Sequence, residues 1–397
     1  MKSRKQLDSF EKFINIEVEN LIEFKQGSIP TIYNKSLFLA TVLSLFCSTT
    51  SCATNVYVNT DVTQTPSVMV DEKPFFPFGF YYVSYYESEQ TKRLNDLRAI
   101  AQAGFNTMYV PLDLNDDSFL NESAKLGVQI IGEFNEDPMS VINKYKNNSA
   151  IIGWLVADDA DNGKKTPEQL SQFNYQLKVA DPQRITYLSG GYPKKIGQFV
   201  DSADVVGMQS YPVTAEPLST VNYSIASAVK AAVPINRPVI ANLQTFAWSG
   251  GRAPTPKEVR NMTYQSLING VKGIIYYAYY DGVWNLPDNK TLWNGVKLLV
   301  PEIKQLTSTL LYGDLIKIAT GVSDTYAGIW KYQNKAVVVV INTSSNATKE
   351  VTVSLPLQRT TGIETMFAGR PSGMIVKGDK LSGSIKPKDV HVYTFGY

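Results

Sequence analysis

The feature that most constrains this chain is an alternation of strand-like and helix-like segments over residues 75–310. Eight segments rich in β-branched and aromatic residues follow one another there, and nearly all of them are followed by an apolar repeat of helical period. Thr166 and Thr255 each open a helical segment with an N-cap residue followed by proline. The predicted strands are residues 75–83, 107–112, 128–134, 151–157, 185–188, 204–208, 238–244 and 273–280.

This succession of strands and helices predicts a closed (β/α)8 barrel, the TIM barrel, within the α/β class. A doubly wound open sheet is the alternative. No glycine-rich phosphate-binding loop follows the first strand, which weakens that alternative.

The pattern changes after Gly313, where the helical repeat stops. Five β-rich segments separated by turn signals follow, at residues 326–332, 336–341, 348–355, 362–367 and 390–395. They predict a small all-β sandwich domain. We therefore expect a leader with a signal-like segment over residues 1–56, the barrel over residues 57–312 and the sandwich over residues 313–397.

The leader contains an apolar run at residues 37–46, LFLATVLSLF, after Lys35. A helix that crosses a bilayer needs about 20 residues, so this run fits the apolar region of a secretory signal peptide better. The small residues before Cys52 resemble a bacterial lipobox, in which the cysteine is lipidated. Cleavage after Ala53 is the competing interpretation, and a buried helix in a cytosolic protein is a third. We expect an exported protein of the cell envelope or the extracellular space, with lipidated Cys52 as a membrane anchor.

The composition excludes several classes of function. The 38 Lys and Arg residues balance 36 Asp and Glu residues, and a net charge of +2 offers no basic surface for nucleic acid. Two Cys and one His, His391, are too few for a structural zinc site or a Cys–His pair. Both cysteines, Cys47 and Cys52, lie in the leader. Acid–base chemistry is left to carboxylates, Tyr and Lys, and we expect neither a metal nor an organic cofactor.

Carboxylates and aromatic side chains collect where the predicted strands end, and the chemistry of such barrels takes place at those ends. Glu133 ends the third strand, Asp158 and Asp159 follow the fourth, and Asp281 follows the eighth. Aromatic and amide side chains at other strand ends are Tyr82, Tyr211, Asn242, Gln244, Trp248 and Trp284. Aromatic rings can cover the apolar faces of a sugar while carboxylates bind its hydroxyl groups or transfer protons. The combination predicts a carbohydrate ligand; packing material is the alternative for the aromatic residues.

Several segments resemble bacterial glycoside-hydrolase-like barrels. Residues 151–161, IIGWLVADDAD, look like the Trp-x-x-x-Asp-Glu-Pro-Asp segment at their fourth strand, and residues 204–212, DVVGMQSYP, resemble their sixth strand. Residues 238–246 and 254–277 are similar to their seventh strand, seventh helix and eighth strand. The C-terminal stretch is similar to their trailing β-sandwich. The resemblance covers residues 75–397 and rests on the order of these pieces along the chain.

The fourth-strand motif is degenerate in this chain. The family pattern has Glu at the position of Asp159 and Pro at the position of Ala160. Retaining members of the larger clan end the seventh strand with a Glu nucleophile, where this chain has Gln244, and relatives carry Asp at the position of Gln209. A double displacement by the fourth- and seventh-strand pair therefore lacks its nucleophile here.

Hydrolysis of a glycosidic bond normally uses two carboxyl groups. Asp159 is the candidate acid, and Asp158 is its nearest competitor because only one of two consecutive side chains faces the barrel centre. Asp281 is a candidate partner because strands four and eight lie opposite each other and leave room for a water molecule; Glu133 is the next choice. The plain alternatives are a solvated turn after the fourth strand, a turn pair at Asp281-Gly282 and a structural hydrogen bond at Glu133.

The sequence thus predicts an exported glycoside-hydrolase-like protein that cleaves an oligo- or polysaccharide by carboxylate acid–base catalysis. A catalytically inactive carbohydrate-binding barrel, anchored as a lipoprotein, is the alternative from another class. A surface protein that uses the barrel only as a scaffold is the third.

Overall fold

The computed structural model of the protein describes residues 54–59, 61, 65–84 and 89–397. The predicted signal segment at residues 37–46, Cys47 and Cys52 lie outside the described residues. None of the helices in the described ranges combines the length and the apolar character that a membrane span requires.

A small antiparallel sheet precedes the barrel. Its strands are β1 (Val56–Val58), β2 (Val68–Val70) and β3 (Lys73–Phe75). Val56 and Val68 belong to one buried cluster with the inward-facing residues of the barrel, so the sheet covers the N-terminal end of the barrel. This sheet was not predicted, and the first predicted strand, residues 75–83, is wrong at its start. Pro77 has no N–H group to donate to a strand ladder, and the first barrel strand begins after it, at Phe78.

Eight parallel strands close into a barrel, which confirms the predicted (β/α)8 fold. In chain order they are β4 (Phe78–Tyr82), β5 (Thr107–Leu112), β6 (Gln129–Phe134), β7 (Ile151–Ala157), β8 (Ile185–Gly190), β9 (Val205–Ser210), β10 (Val239–Gln244) and β11 (Ile274–Tyr280). Each strand pairs with the next along the chain, and β11 pairs with β4 to close the ring. The second and fourth predicted strands have the bounds of β5 and β7.

Helices cover the outside of the barrel. They are α1 (Gln90–Ala103), α2 (Asp117–Leu126), α3 (Pro138–Tyr145), α4 (Pro167–Ala180), α5 (Thr220–Ala232), α6 (Pro256–Leu267), α7 (Lys290–Lys297) and α8 (Leu299–Tyr312). Thr166 and Thr255 form the N-caps of α4 and α6, as predicted, each within a capping box. The single helix predicted over residues 292–310 is two helices. Pro301 explains the break near Leu298, because its ring would clash with the carbonyl group four residues earlier.

The barrel interior changes from apolar to polar along the strands. Isoleucines fill the part nearer the N-terminal ends: Ile131, Ile152, Ile185, Ile240 and Ile275. Beyond them pack the rings of Tyr81, Tyr109 and Tyr187, with 4.1 Å between the ring centroids of Tyr81 and Tyr109. The buried side chain of Asn242 bonds to the hydroxyl groups of Tyr81 and Tyr187. Gly207 provides the space for this layer, since a Cβ atom there would lie 2.1 Å from the Tyr187 hydroxyl oxygen.

The C-terminal domain is a β-sandwich, as predicted. One sheet has the strand order β12-β13-β14-β19-β16, and the other has the order β15-β18-β17. The strands are β12 (Asp314–Ile318), β13 (Thr325–Tyr332), β14 (Lys335–Asn342), β15 (Lys349–Ser354), β16 (Glu364–Thr365), β17 (Ile375–Lys377), β18 (Lys380–Ile385) and β19 (Val390–Gly396). Ile329, Val338 and Leu381 share one buried cluster between the sheets. β12, β17 and β18 were not predicted; β12 follows α8 after a single residue, without a turn signal.

Helix α6 joins the sandwich to the barrel through polar contacts. Its residues 258–267 are all buried, because the helix packs against β10 of the barrel and β14 of the sandwich. Asn261 Nδ2 donates to the carbonyl oxygen of Asn342 at 2.9 Å, and Arg260 Nη1 donates to that of Val390 at 2.8 Å. Buried donors that find acceptors in this way favour one docking geometry over others.

Replacement of Gly207 by Ala is expected to lower the free energy of unfolding by about 1–3 kcal/mol, the usual cost of overpacking a filled interior. The added Cβ atom would meet the Tyr187 hydroxyl oxygen at 2.1 Å and the Cβ atom of Ser189 at 2.8 Å. Urea denaturation followed by circular dichroism measures the change. Gly362→Ala is the matched control, because no atom of the described residues lies within 4 Å of a Cβ built there. An unchanged midpoint for Gly207→Ala would contradict this packing.

Candidate active site

The C-terminal ends of the barrel strands meet at one mouth, and four consecutive strands place polar side chains there. Glu133 lies on β6, Asp158 directly follows β7, Ser189 lies on β8 and Gln209 lies on β9. Tyr187 faces the barrel interior, so Ser189, two residues further along the same strand, faces it as well. These residues form one polar group along one side of the mouth.

Asp158 is at the centre of this group. Ser189 Oγ donates a hydrogen bond to its Oδ1 atom, and Gln209 Nε2 donates to the same oxygen at 2.9 Å. Asp158 is exposed to solvent at the mouth, and desolvation of its carboxyl group by the protein atoms packed beside it raises the pKa of Asp158 to about 6. The hydrogen bond from Ser189 acts in the opposite direction because it stabilises the ionised form. Asp158 therefore exchanges its proton near pH 6.

The chain turns sharply after Asp158. Asp159 has a φ angle of 49°, in the left-handed region, and is exposed. Asp161 is buried, and its carboxyl oxygens accept from the backbone N–H groups of Gly191 at 3.0 Å and Tyr192 at 2.7 Å. Of the three aspartates, Asp158 is the one bonded to polar side chains of β8 and β9. The geometry favours Asp158 over Asp159, which the sequence analysis ranked first.

Glu133 supplies a second carboxyl group on the strand next to Asp158. The Tyr109 hydroxyl group donates to its Oε2 atom at 3.0 Å. Burial raises the pKa of Glu133, the hydrogen bond from Tyr109 lowers it, and the negative charge of Asp158 raises it. Because the charge of Asp158 raises the pKa of Glu133, the two carboxyl groups lie close enough to form an electrostatically coupled pair.

Asp281 lies in the loop after β11. Its Oδ1 atom accepts from the backbone N–H groups of Val283 at 3.0 Å and Trp284 at 2.6 Å. Gly282 has a φ angle of 84°, a conformation that glycine adopts without strain. The carboxyl group of Asp281 therefore closes a tight turn, the role given above as the plain alternative to catalysis.

Four aromatic side chains form a surface beside the carboxyl pair, which we call the aromatic surface: Tyr211, Phe246, Trp248 and Tyr277. The ring centroids of Tyr211 and Phe246 are 5.4 Å apart, and those of Phe246 and Trp248 are 4.7 Å apart. Trp248 is 44% exposed, and its indole N–H donates to the Tyr211 carbonyl oxygen at 3.2 Å. Burial is the largest cause that raises the pKa of Tyr211, and the negative charge of Asp158 is the second. The Tyr211 ring therefore lies close to Asp158.

Tyr82 and Trp284 are not among the side chains gathered around Asp158. Tyr82 is buried between the barrel and its helices, where its hydroxyl group donates to Asp96 of α1 at 2.9 Å. Trp284 packs against the same buried cluster, and its backbone N–H belongs to the Asp281 turn.

Proton transfer is the chemistry that these groups offer. Asp158 and Glu133 both have raised pKa values, and hydrogen bonds orient both carboxyl groups, two from Ser189 and Gln209 to Asp158 and one from Tyr109 to Glu133. In the part of the chain that the structure describes, no group of three or more His, Cys, Asp or Glu side chains could hold a metal ion.

No protein-family model matches the chain, and no curated protein matches it by sequence. Solved structures do match. A glycoside hydrolase family 5 protein from Bacteroides vulgatus aligns over 86% of this chain and 92% of its own, with a TM-score of 0.62 and 13% identity. A family 30 endoxylanase from Clostridium papyrosolvens aligns over 86% and 100%, with a TM-score of 0.53 and 12% identity. A maltogenic alpha-amylase from Thermotoga neapolitana aligns over 81% and 98%, with a TM-score of 0.55 and 11% identity.

The chain has a glycoside-hydrolase-like barrel fold. At these sequence identities the likeness concerns the fold alone. It agrees with the resemblance found in the sequence, including the β-sandwich that follows the barrel.

The seventh strand of this glycoside-hydrolase-like barrel ends in Gln244. Backbone groups of the protein take up the hydrogen bonds of its side-chain amide. Gln244 Oε1 accepts from the backbone N–H of Val213 at 2.7 Å, and Nε2 donates to the carbonyl oxygens of Val213 at 3.3 Å and Phe246 at 3.1 Å. Gln244 thus fixes the loops that carry the aromatic surface. Gln244 and Asn242, both predicted to bind sugar, are fully buried.

Ser189 is a residue of the site that the sequence analysis missed. The predicted fifth strand ended at Leu188, whereas β8 continues to Gly190. Alternation from Tyr187 is the signal that would have placed Ser189 at the mouth. Phe246 and Tyr277 were missed as well, and alternation from the inward-facing Ile275 would have found Tyr277.

We expect the free energy of unfolding of Asp158→Asn, relative to that of the wild type, to increase as the pH rises from 4 to 7. Between the ordinary pKa of 3.8 and the folded value of about 6, the folded state holds a proton that the unfolded state has released. The wild type therefore loses stability as the pH rises through this window, and the variant does not share the loss. Urea denaturation at several pH values measures the difference. Ser210→Ala, a neighbouring change without a titrating group, is the control, and a pH-independent difference for Asp158→Asn would contradict the raised pKa.

Proposed function

We propose that this protein is a glycoside hydrolase that acts on an oligo- or polysaccharide. The observation that carries the proposal is the coupled pair of carboxyl groups, Glu133 and Asp158, on neighbouring strands at one barrel mouth. Two carboxyl groups are sufficient for this reaction without a metal or an organic cofactor. The similarity of the fold to glycoside hydrolases supports the same class of reaction.

In the proposed mechanism Asp158 is the proton donor. A pKa of about 6 leaves part of the Asp158 population neutral near pH 7. Asp158 gives its proton to the glycosidic oxygen while the bond from that oxygen to the anomeric carbon breaks. A water molecule attacks the anomeric carbon and gives a proton to ionised Glu133. Asp158 ends ionised and Glu133 ends neutral, and proton exchange with solvent restores both.

Two other assignments compete with this pair. Asp159 occupies the position that the family resemblance gives to the acid, but Asp158 is the aspartate that bonds to Ser189 and Gln209 on the neighbouring strands. Asp281 would face the acid across the barrel, but its Oδ1 atom is held by two backbone N–H groups. These environments leave Asp158 and Glu133 as the proposed acid and base.

We assign sugar binding to the exposed face of Trp248, with Tyr211 beside it. The hydrogen bond from the Trp248 indole to the Tyr211 carbonyl oxygen fixes the orientation of the larger ring. A half-exposed indole whose ring centroid lies 6.3 Å from that of Tyr211, the ring close to Asp158, suits stacking on the apolar face of a sugar ring.

A carbohydrate-binding barrel without catalysis is the second candidate. The observation that favours it is Gln244, which stands at the nucleophile position of retaining relatives and has its amide bonded to loop backbone. Such a protein would keep the aromatic surface and would use Asp158 and Glu133 to bind hydroxyl groups.

Cleavage of a glycan by the purified protein is expected to fall about 10²–10⁴-fold in Asp158→Asn and in Glu133→Gln, the range that general acid–base catalysis contributes. Release of reducing ends from a panel of soluble glycans measures activity, and affinity gels with the same glycans measure binding. Asp159→Asn is the matched control, because it makes the same chemical change at the adjacent residue and should retain most of the activity.

The outcomes separate the candidates. Binding without cleavage by any form of the protein would favour the non-catalytic barrel. Loss of cleavage in Asp159→Asn but not in Asp158→Asn would return the acid role to Asp159. Neither binding nor cleavage across the panel would favour the scaffold.

We propose further that the protein is exported and anchored at the cell envelope by a lipid on Cys52. The apolar run at residues 37–46 and the small residues before Cys52 support this localisation. In a bacterial host, the full chain is expected to incorporate labelled fatty acid, Cys52→Ala to lose the label and Cys47→Ala to keep it. Gel analysis of labelled membrane fractions makes the comparison. An unlabelled wild type would contradict lipidation, and full-length protein retained in the cytoplasm would contradict export.

A further inference from the structure

The two oxygens of the Asp158 carboxyl group have different surroundings. Gln209 Nε2 lies 2.9 Å from Oδ1, and Ser189 Oγ contacts the same oxygen. Neither of these side chains contacts Oδ2. Two donors on one oxygen favour negative charge there and disfavour a proton on it.

The neighbours of Ser189 fix the direction of its hydroxyl hydrogen. Gln209 Nε2 donates to Ser189 Oγ at 2.9 Å, so the amide uses its two hydrogens on Ser189 and Asp158. The Tyr81 hydroxyl group also donates to Ser189 Oγ, at 3.4 Å. A serine hydroxyl has a single hydrogen. With two donors directed at its oxygen, Ser189 directs that hydrogen at Asp158.

The same direction of donation continues down into the barrel. Asn242 Nδ2 donates to the Tyr81 hydroxyl oxygen at 2.8 Å, and the Asn242 amide exchanges hydrogen bonds with the Tyr187 hydroxyl group, which donates to Oδ1 at 2.9 Å and accepts from Nδ2 at 2.8 Å. The chain of donors thus runs from the barrel core to the mouth and ends at Oδ1 of Asp158. Successive hydrogen bonds that point the same way polarise and strengthen one another, most of all in a buried setting. Tyr81, Asn242 and Ser189 are all fully or almost fully buried.

The charges that face Asp158 do not compete with these donors. The charge of Asp159, the following residue, raises the pKa of Asp158, and a hydrogen bond from the Asp159 backbone lowers it. The charge of Asp158 in turn raises the pKa of Glu133 on the neighbouring strand. The buried tyrosines around it, Tyr109 and Tyr211 among them, have raised pKa values because of burial and stay neutral in the pH range where Asp158 titrates. Among the side chains around Asp158, the donors Ser189 and Gln209 are what distinguishes Oδ1 from Oδ2.

We propose that Ser189 and Gln209 are positioning residues that hold Oδ1 of Asp158 as an acceptor and leave its proton to Oδ2. The catalytic meaning of this arrangement rests on the proposed function, since Oδ2 is then the atom that delivers the proton to the glycosidic oxygen. The arrangement itself is a property of the folded protein and can be measured without a substrate.

Ser189→Ala removes one donor to the ionised form, and the pKa of Asp158 is expected to rise by about one pH unit, the effect of one hydrogen bond to a charged group. Gln209→Leu is expected to raise it as well. Titration of the full chain with selectively carbon-13-labelled aspartate, followed by NMR of the carboxyl carbon, measures the pKa, and Asp158→Asn assigns the signal. Tyr109→Phe is the matched control, because it removes a buried hydroxyl group that donates to Glu133 and not to Asp158.

An Asp158 pKa that stays constant or falls in both Ser189→Ala and Gln209→Leu would overturn the proposal, as would an equal rise in Tyr109→Phe. Neutron diffraction from crystals at acid pH tests the position of the proton directly: deuterium on Oδ2 supports the proposal, and deuterium on Oδ1 overturns it. If the protein cleaves no glycan, the proposed function fails while these measurements keep their meaning. If it does cleave a glycan, the alkaline limb of its pH–rate profile is expected to shift to higher pH in Ser189→Ala, together with the pKa of Asp158.

Discussion

The Tyr187 hydroxyl group lies in the space that Gly207 leaves open, and the polar half of the barrel interior depends on this packing. The hydroxyl group bonds to Asn242, Asn242 bonds to Tyr81, and Tyr81 reaches Ser189 below the mouth. A shift of the Tyr187 ring would leave buried donors without acceptors, at a cost of about 1–3 kcal/mol for each group. The closure of the barrel therefore sets which side chains of β8 and β9 surround the proposed acid.

Much of the fold could be predicted because its signals are local and periodic. The bounds of β5 and β7 follow from short apolar runs between turn residues, and the starts of α4 and α6 follow from Thr-Pro caps. The sheet of β1, β2 and β3 could not be predicted in this way, because strands of three residues are too short to show alternation. Pro301 is a sequence signal for the break between α7 and α8. The long apolar repeat on both sides of it led to the prediction of a single helix.

The location of the site at the strand ends could be predicted from the sequence, but the contacts among its side chains could not. Strand ends brought Glu133, Asp158 and Asp159 to one mouth, which needs only the direction of parallel strands. The choice between Asp158 and Asp159 depends on an irregularity in the pairing of β7 with β8 near Leu155 and on the left-handed turn at Asp159. Both change which side chain faces the interior, and counting residues along a regular strand does not reveal either. The turn that holds Asp281 is likewise a matter of backbone geometry.

The buried helix α6 affects how this chain can change over evolutionary time. Arg260 Nη1 and Asn261 Nδ2 each donate to a carbonyl oxygen of the sandwich backbone, a group that every residue type presents. The side chains at these two points are constrained as well: Asn342 Nδ2 donates to the carbonyl oxygens of Ala347 and Ile385, and Val390 lies in the buried cluster that the sandwich shares with the barrel. Loss of the whole domain would expose polar groups and apolar surface together. Recombination that exchanges one sandwich for another must therefore reproduce the backbone carbonyl groups that α6 needs and also the buried side chains beside them.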